Sequence, residues 1–245
     1  MTKTAGIIII GDEILSGLIQ DSNAVFMVRE LRQKGIDVRR VSFIKDDISD
    51  IAREVRIFSE TFDYVFTSGG IGPTHDDVTI EGISKAFNVK IVIDEQLRVV
   101  LEKMFKTTLT PEQLRMAEVP EGAEVIPDET IGLPLIKYNN VYIFPGIPEF
   151  LRKKFIVIAK MLFTDNPPLI KKVYIKEFES KVAPILNMIV KNHRNVKIGS
   201  YPFMNIEEYN LMIILESYES NSLQDALKDL MSSLPTDKIV IVEEK

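Results

Sequence analysis

The sequence predicts an α/β chain in two parts: a mostly parallel sheet wrapped by helices over residues 1–166, then a small α+β unit over residues 168–245. Three observations carry this. Ala5 to Ile10 is a near-continuous aliphatic run, the composition of a strand covered on both faces in a parallel sheet. Strand-like and helix-like periodicities then alternate, the order that builds right-handed crossovers. Beyond the linker Thr164-Asp165-Asn166-Pro167-Pro168 the order becomes βαββαβ, the ferredoxin-like split motif.

The first strand ends in Gly11-Asp12-Glu13. Asp21 is placed to cap a helix running to Lys34, with Ala24, Val28 and Leu31 at core spacing and Gly35 as its stop. Ile36 to Ile44 is the second strand and leads to Asp46-Asp47; the following helix carries Ile48, Ile51, Val55 and Phe58 on one face. Phe62 to Phe66 is the third strand, followed by a glycine-rich loop. Asp94 to Phe105 reads as a helix, and Thr110-Pro111-Glu112-Gln113 joins a capping box to a proline at the first helical position. Val119 to Ile126, Leu135 to Tyr138 and Val141 to Phe144 read as strands, with Asn139-Asn140 as a tight turn and Pro145 to Glu149 as a break before a helix over Phe150 to Phe163. The second part has strands over Val173 to Lys176, Val196 to Tyr201, Tyr209 to Leu215 and Ile239 to Val242, with helices over Val182 to Asn192 and Leu223 to Leu234.

Composition narrows the function. Of the 245 residues 45% are hydrophobic and 27% charged, which fits a folded globular chain. The net charge of −6 and a pI near 5.2 argue against nucleic-acid binding, which needs a basic surface. The absence of cysteine excludes disulfides, thiolate metal sites and cysteine nucleophiles. The apolar run Ile7 to Ile10 is too short for a signal segment or a membrane span, so a cytoplasmic location with no membrane partner is expected.

Chemistry concentrates in Thr67-Ser68-Gly69-Gly70-Ile71-Gly72-Pro73-Thr74-His75-Asp76-Asp77-Val78-Thr79. A strand, a glycine-rich loop and a helix start make a phosphate pocket, because free backbone N–H groups point at the anion. The loop has neither the lysine of a Walker A motif nor the spacing of the dinucleotide fingerprint. Carboxylates beside such a pocket repel phosphate unless a divalent cation lies between them. Asp12 and Glu13, Asp46, and Asp76 and Asp77 each follow a strand, and parallel strands send their carboxyl ends to one edge. Plainer readings exist for each. The glycines suit an ordinary βα turn, Asp12-Glu13 and Asp46-Asp47 suit helix first turns, Asp76 suits loop orientation, and His75 suits an exposed loop. Glu149 fits a first-turn or a site acid, His193 a helix C-terminus, and Arg152-Lys153-Lys154 a solvated helix face.

The segments GDEILSGLIQDSNA (Gly11 to Ala24), GGIGPTHDDVT (Gly69 to Thr79) and NVYIFPGIPE (Asn140 to Glu149) resemble the molybdopterin-binding domain family. The likeness is to the N-terminal part of the competence/damage-inducible protein A family and to the molybdopterin-binding-like domain of eukaryotic FAD synthase. SKVAPIL (Ser180 to Leu186) and GSYP (Gly199 to Pro202) resemble the region that follows in FAD synthase. The resemblance implies a three-layer αβα domain, homo-oligomers, and divalent-metal-dependent hydrolysis of nucleotide pyrophosphates such as FAD or ADP-ribose. In the molybdenum-cofactor branch it implies adenylation of molybdopterin or insertion of molybdenum, with a GGTG loop followed by an Arg-Asp pair. This chain has Gly69-Gly70-Ile71-Gly72 and then Pro73-Thr74-His75-Asp76-Asp77, which departs from that pattern. Asp128-Glu129-Thr130-Ile131-Gly132-Leu133-Pro134 replaces the Asn and Gly-Thr-Ala-Pro-Gly of the competence branch, which favours the FAD-synthase side. The likeness does not reach the amidohydrolase or FAD-forming domains of those proteins, so neither activity is expected of these residues.

A metal-dependent pyrophosphatase is therefore the leading expectation. Gly11, Ser68, Gly69, Gly70, Gly72, Pro73, Thr74, His75 and Gly146 are the candidate phosphate or nucleotide contacts. Asp12, Glu13, Asp46 and Asp77 are the candidate ligands of Mg²⁺, Mn²⁺ or Co²⁺, and Asp46, Asp76 and Asp77 the candidate catalytic acids. The partner is a small nucleotide or pterin phosphate. A molybdopterin adenylyltransferase or insertase, and a non-catalytic nucleotide-binding module, are the alternatives.

Overall fold

Aliphatic side chains on both faces of the first strand set the architecture of the first unit. The computed structural model describes residues 2–127, 134–162, 166–204 and 206–244, and the chain divides into units 1–165 and 166–245. The first unit begins β1 (Thr4–Ile10), α1 (Asp12–Leu15), α2 (Asn23–Gln33), β2 (Asp37–Ile44), α3 (Ile48–Thr61) and β3 (Tyr64–Ser68). It continues α4 (Thr79–Phe87), β4 (Ile91–Ile93), α5 (Glu95–Phe105), α6 (Pro111–Arg115), β5 (Glu118–Pro120), β6 (Glu124–Ile126), β7 (Leu135–Tyr138), β8 (Val141–Phe144) and α7 (Pro148–Met161).

In β1, Ile8 and Ile10 join one buried cluster while Ala5, Ile7 and Ile9 join another, because successive side chains point to opposite faces. Helices α3, α4 and α5 cover the first face through Ile51, Val55, Phe58, Ile83 and Leu101. On the other, α2 and α7 pack through Met27, Leu31, Leu151, Phe155 and Ile158. Three layers result. Truncating one such buried side chain to alanine costs about 2–5 kcal/mol, so each layer depends on both neighbours.

The six-stranded sheet has the order β2-β1-β3-β8-β7-β6. Its first four strands are parallel; β7 and β6 continue antiparallel. The register places Ile10 beside Ile44, Ile9 beside Ser68, and Ser68 beside Phe144. The loops after four strands thus leave the sheet at one level, and this positions the site.

Several elements differ from expectation. The expected strand Val119 to Ile126 is two strands, because a turn at Glu121-Gly122 (Gly122 φ +89°), closed by Ala123 N–H donating to Pro120 O at 2.9 Å, sends the chain from a β4–β5 pair to the edge of the main sheet. Strand β3 begins at Tyr64 rather than Phe62, which instead closes α3 by donating to Phe58 O. Ser22 occupies the N-cap of α2 without a side-chain capping bond, and Asp21 reaches in from one residue earlier to accept from Asn23 and Ala24 N–H. The capping box of α6 is present as expected. Of the stretch Asp128 to Pro134, residues 128–133 lie outside the described residues, as do Phe163, Thr164 and Asp165.

The second unit runs β9 (Leu169–Ile175), α8 (Glu179–Asn192), β10 (Lys197–Pro202), β11 (Leu211–Ser217), α9 (Ser220–Ser233) and β12 (Ile239–Glu244). Its sheet has the order β10-β11-β9-β12, antiparallel throughout, which is the ferredoxin-like arrangement. Val182, Ile189, Leu223 and Leu230 of the helices pack on Val173, Ile175, Ile213 and Leu215. Strand β9 starts at Leu169, where pairing with β11 begins, rather than at Val173; Lys171 and Lys172 obscure its alternation in the sequence. His193 caps the end of α8 and meets Asp229 Oδ2 at 2.8 Å. Among the described residues no helix is long and apolar enough to cross a membrane.

Asp63 ties the start of β1 to the end of α3. Its carboxylate accepts from Lys3 Nζ at 2.7 Å, Thr4 N at 2.8 Å and Thr4 Oγ1 at 2.9 Å. These donors lower its pKa to about 2, the Lys3 bond contributing most. A depressed folded value means stability that is present above the ordinary carboxylate range and is lost as pH falls through about 2. Asp63→Ala is expected to lower Tm at pH 6 by about 2–4 °C, a change of about 1 kcal/mol after allowing for solvent screening. The gap between parent and variant should shrink as the pH of the thermal scans falls from 5 to 2; a constant gap would assign the effect to packing.

Candidate functional site

Four loops meet where the parallel strands end. The loop after β3 is pressed against β1: Gly69 has φ +112°, and a Cβ there would stand 2.1 Å from the Ile10 carbonyl oxygen. Gly69 N–H donates to Phe144 O at 3.1 Å, tying the loop to β8 as well. Thr79, fully buried at the start of α4, closes the loop by donating from its N–H to Gly70 O at 2.9 Å and from Oγ1 to Gly69 O at 2.8 Å. From α2, buried Asn23 donates through Nδ2 to Ser68 Oγ at 3.0 Å and Gly146 O at 2.7 Å, which joins the loops after β3 and β8. Among the described residues no acceptor is recorded for the N–H groups of Gly70, Ile71 or Gly72. Consecutive amides without a protein acceptor are the kind of donor an anion nest requires.

The acidic residues divide their work. Asp47 caps α3, accepting from Ser49 and Asp50 N–H at 2.9 Å each. Its neighbour Asp46 crosses to the loop after β1 and accepts from Asp12 N–H at 2.8 Å. Burial raises the Asp46 carboxyl above its ordinary pKa; the Asp12 N–H pulls it down, and Glu13, Asp12 and Asp76 push it up. Asp77 folds back on its own loop, where Oδ2 accepts from Thr74 N–H at 2.8 Å and Thr74 Oγ1 at 2.6 Å. The Thr74 hydroxyl and the residue's own N–H hold the Asp76 carboxyl below its ordinary pKa.

A cavity of about 600 Å³ opens among these loops. Its lining includes Gly11, Gly69 to Pro73 and the acids Glu13, Asp46, Asp76 and Asp77, together with aliphatic and aromatic residues such as Ile14, Ile80, Leu97, Ile136 and Phe150. Gly146 lies in the lining, whereas Asp12, Ser68, Thr74 and Glu149 lie outside it. Asp12 contributes its backbone N–H, and Ser68 and Thr74 hold the framework. His75 also lies outside the lining, with its side chain 98% exposed and Nδ1 4.0 Å from Asp76 Oδ1. The turn that carries it is held from within by Asp77, which leaves the imidazole in solvent.

The fold adds residues that local sequence reading missed. Arg115 of α6 lines the cavity and bonds to the carbonyls of Thr74 and Asp77, bringing a cation to a loop with no lysine or arginine of its own. Lys154, expected on a solvated face, is only 5% exposed, lines the cavity and donates to Pro134 O at 2.7 Å. Helical spacing sets it beside the buried stripe Leu151, Phe155 and Ile158, a signal the basic run obscured. Asn23 and Thr79 lie within the segments Gly11 to Ala24 and Gly69 to Thr79 but carry no role in the sequence reading; their burial and their hydrogen bonds to the loops mark them.

Among the described residues no group of three His, Asp or Glu side chains is placed to hold one metal ion. The carboxylates available to a divalent ion at the cavity are those of Glu13, Asp46, Asp76 and Asp77.

Residues 6–165 match the model of the probable molybdopterin binding domain. This chain belongs to that family. Residues 167–243 match the middle domain of FAD synthase. A protein of Archaeoglobus fulgidus is 39% identical, over 80% of this chain and 84% of its own length. A probable FAD synthase of Caenorhabditis elegans is 30% identical over 95% of this chain, and a CinA-like protein of Fusobacterium nucleatum 31% over 89%. The match spans 50% and 54% of those two proteins. Among solved structures, the CinA protein of Thermoplasma acidophilum aligns with a TM-score of 0.61 and 33% identity, covering 65% of this chain and 98% of that one.

Two outcomes follow from the geometry. Gly69→Ala forces a Cβ onto a backbone oxygen that no rotamer change can move, and should cost about 3 kcal/mol in urea unfolding. Gly17→Ala, with φ +75° but nothing within 4 Å, should cost about 1 kcal/mol. Equal losses would show that the approach to Ile10 is unimportant. Asp46→Asn keeps an acceptor for Asp12 N–H and removes a charge that burial and neighbouring acids oppose. A raised folded pKa means ionisation works against folding, so stability falls as pH rises from the ordinary carboxylate range through the folded value. In metal-free buffer the variant should melt above the parent at pH 7, with the gain disappearing below pH 4; an equal or lower Tm at pH 7 would contradict this.

Proposed function

We propose that this chain is a divalent-metal-dependent nucleotide pyrophosphatase of the FAD or ADP-ribose type. The observation that carries the reading is the juxtaposition of the uncommitted Gly70, Ile71 and Gly72 amides with Glu13, Asp46, Asp76 and Asp77 in one cavity. Amides at a helix entrance hold phosphate oxygens, and carboxylates at the same edge have no use beside phosphate without a cation. The apolar lining suits a flat heteroaromatic ring attached to those phosphates. Similarity to a probable FAD synthase and a CinA-like protein supports a nucleotide-related ligand.

In this reading the loop amides grip one phosphate, and Glu13 and Asp77 would hold the ion. When bound, a divalent ion supplies charge neutralisation of the pyrophosphate and acidification of water. Asp46, with its carboxyl raised by burial, is suited to accept the proton from the attacking water. The water oxygen bonds to phosphorus, the bridging P–O bond breaks, and the leaving phosphate carries the bond's electron pair. FAD would yield AMP and FMN, and ADP-ribose would yield AMP and ribose phosphate.

The test is chromatography of FAD, ADP-ribose, NAD and ATP after incubation with the protein and Mg²⁺, Mn²⁺ or Co²⁺. AMP release that stops with EDTA is expected, and no turnover with any metal would reject the reading. Asp77→Asn retains an acceptor for Thr74, so it should keep the parent's Tm within about 2 °C while losing about 10²-fold or more in metal-dependent turnover. Undiminished turnover would remove Asp77 from the reaction. Molybdopterin binding is the second reading, favoured by the family match over residues 6–165; a copurified fluorescent pterin would support it.

A further inference from the structure

We propose that Arg115 is a positioning residue for the phosphate loop, its guanidinium holding the Thr74–Asp77 turn so that Asp76 and Asp77 stay at the cavity. The proposal rests on the pyrophosphatase reading for its functional consequence, while its structural half stands on geometry alone. From inside, the turn is held by short-range bonds: Asp77 N–H donates to Thr74 O at 3.2 Å, and Thr74 donates twice to the Asp77 carboxylate. Such bonds span three residues of an exposed loop and exchange readily with water. Arg115 arrives from outside, 38 and 41 residues away along the chain. Nη1 donates to Thr74 O at 3.0 Å and Nη2 to Asp77 O at 3.1 Å, so one planar group grips both ends of the turn.

The gripping group is itself anchored. Nη2 also donates to Glu81 Oε1 at 3.0 Å on α4, with both side chains about three-quarters buried at 30% and 25% exposure. The backbone of Arg115 sits in the last turn of α6, whose entry is fixed by the reciprocal Thr110–Gln113 bonds. Glu118 lines the cavity close by; burial first, then Glu81, raises its carboxyl, and Arg115 opposes them in part. A lysine would bring the same charge but no rigid fork, so it could not hold two carbonyls and a carboxylate in this geometry. The role therefore requires the shape of arginine as well as its charge.

The experiment uses the full chain with Arg115→Met and Arg115→Lys, read by backbone hydrogen exchange and by turnover. Both variants should exchange the Thr74 and Asp77 amides about tenfold faster while β1 and β3 stay protected. Both should lose about 10²-fold in kcat/KM for the nucleotide that the parent hydrolyses. Arg115→Ala should regain part of its turnover with millimolar guanidinium and none with ammonium. Exchange at Thr74 and Asp77 matching the parent, or Arg115→Lys behaving as the parent, would overturn the proposal. If the parent hydrolyses nothing, the functional reading fails, and the exchange comparison still decides whether Arg115 holds the turn. Should Arg115→Met unfold, Arg115→Lys carries the same comparison with the charge preserved.

Discussion

The close approach of the Gly69 backbone to the carbonyl of Ile10 is the constraint on which the rest of the site depends. The end of β3 and the end of β1 lie at one level of a parallel sheet, and a Cβ between them would stand 2.1 Å from an oxygen. With no side chain there, the loop can turn back over the strand ends and be tied to β8 through Gly69 and to α4 through Thr79. The amides of Gly70, Ile71 and Gly72 then face no competing acceptor among the described residues. Buried isoleucines on both faces of β1 hold that level in place, so core packing and site geometry are one problem here.

Concentrating acids at that edge works against stability. Asp46 is partly buried, the charges of Glu13, Asp12 and Asp76 oppose its own, and it accepts one backbone N–H, that of Asp12. Carboxylates perturbed by burial and by like-charged neighbours concentrate at functional sites. Two side chains hold the loops in place around these acids: Arg115 on the Thr74–Asp77 turn, and Asn23 between the loops after β3 and β8. Both are framework residues by contact, and both line the cavity.

The second unit follows a different logic. Its antiparallel sheet buries one face under α8 and α9 through a separate apolar cluster. Its match to the middle domain of FAD synthase adjoins the family match of the first unit. The two units together correspond to about half of the FAD synthase and CinA-like relatives, so the activities of those whole proteins do not transfer to this chain by similarity.

By itself the sequence determined the parallel strands, the ferredoxin-like tail, the glycine loop and the acidic residues behind the strand ends. Those features are local: a run of aliphatic residues, a change in periodicity, a capping box or three clustered glycines is written within a few neighbouring positions. The tertiary structure decided what depends on distance. It separated Asp46 from Asp47, one crossing to Asp12 and the other capping α3, although the two are adjacent and chemically identical. It left His75 in solvent, as the plainer loop reading has it and not as a nucleotide contact, and it set Lys154 into the cavity wall, against the reading of the basic run as a solvated face. It brought Arg115 to a turn 38 residues earlier in the chain. Side-chain burial and long-range hydrogen bonds are set by how layers pack, and packing is a property of the whole sheet rather than of any segment.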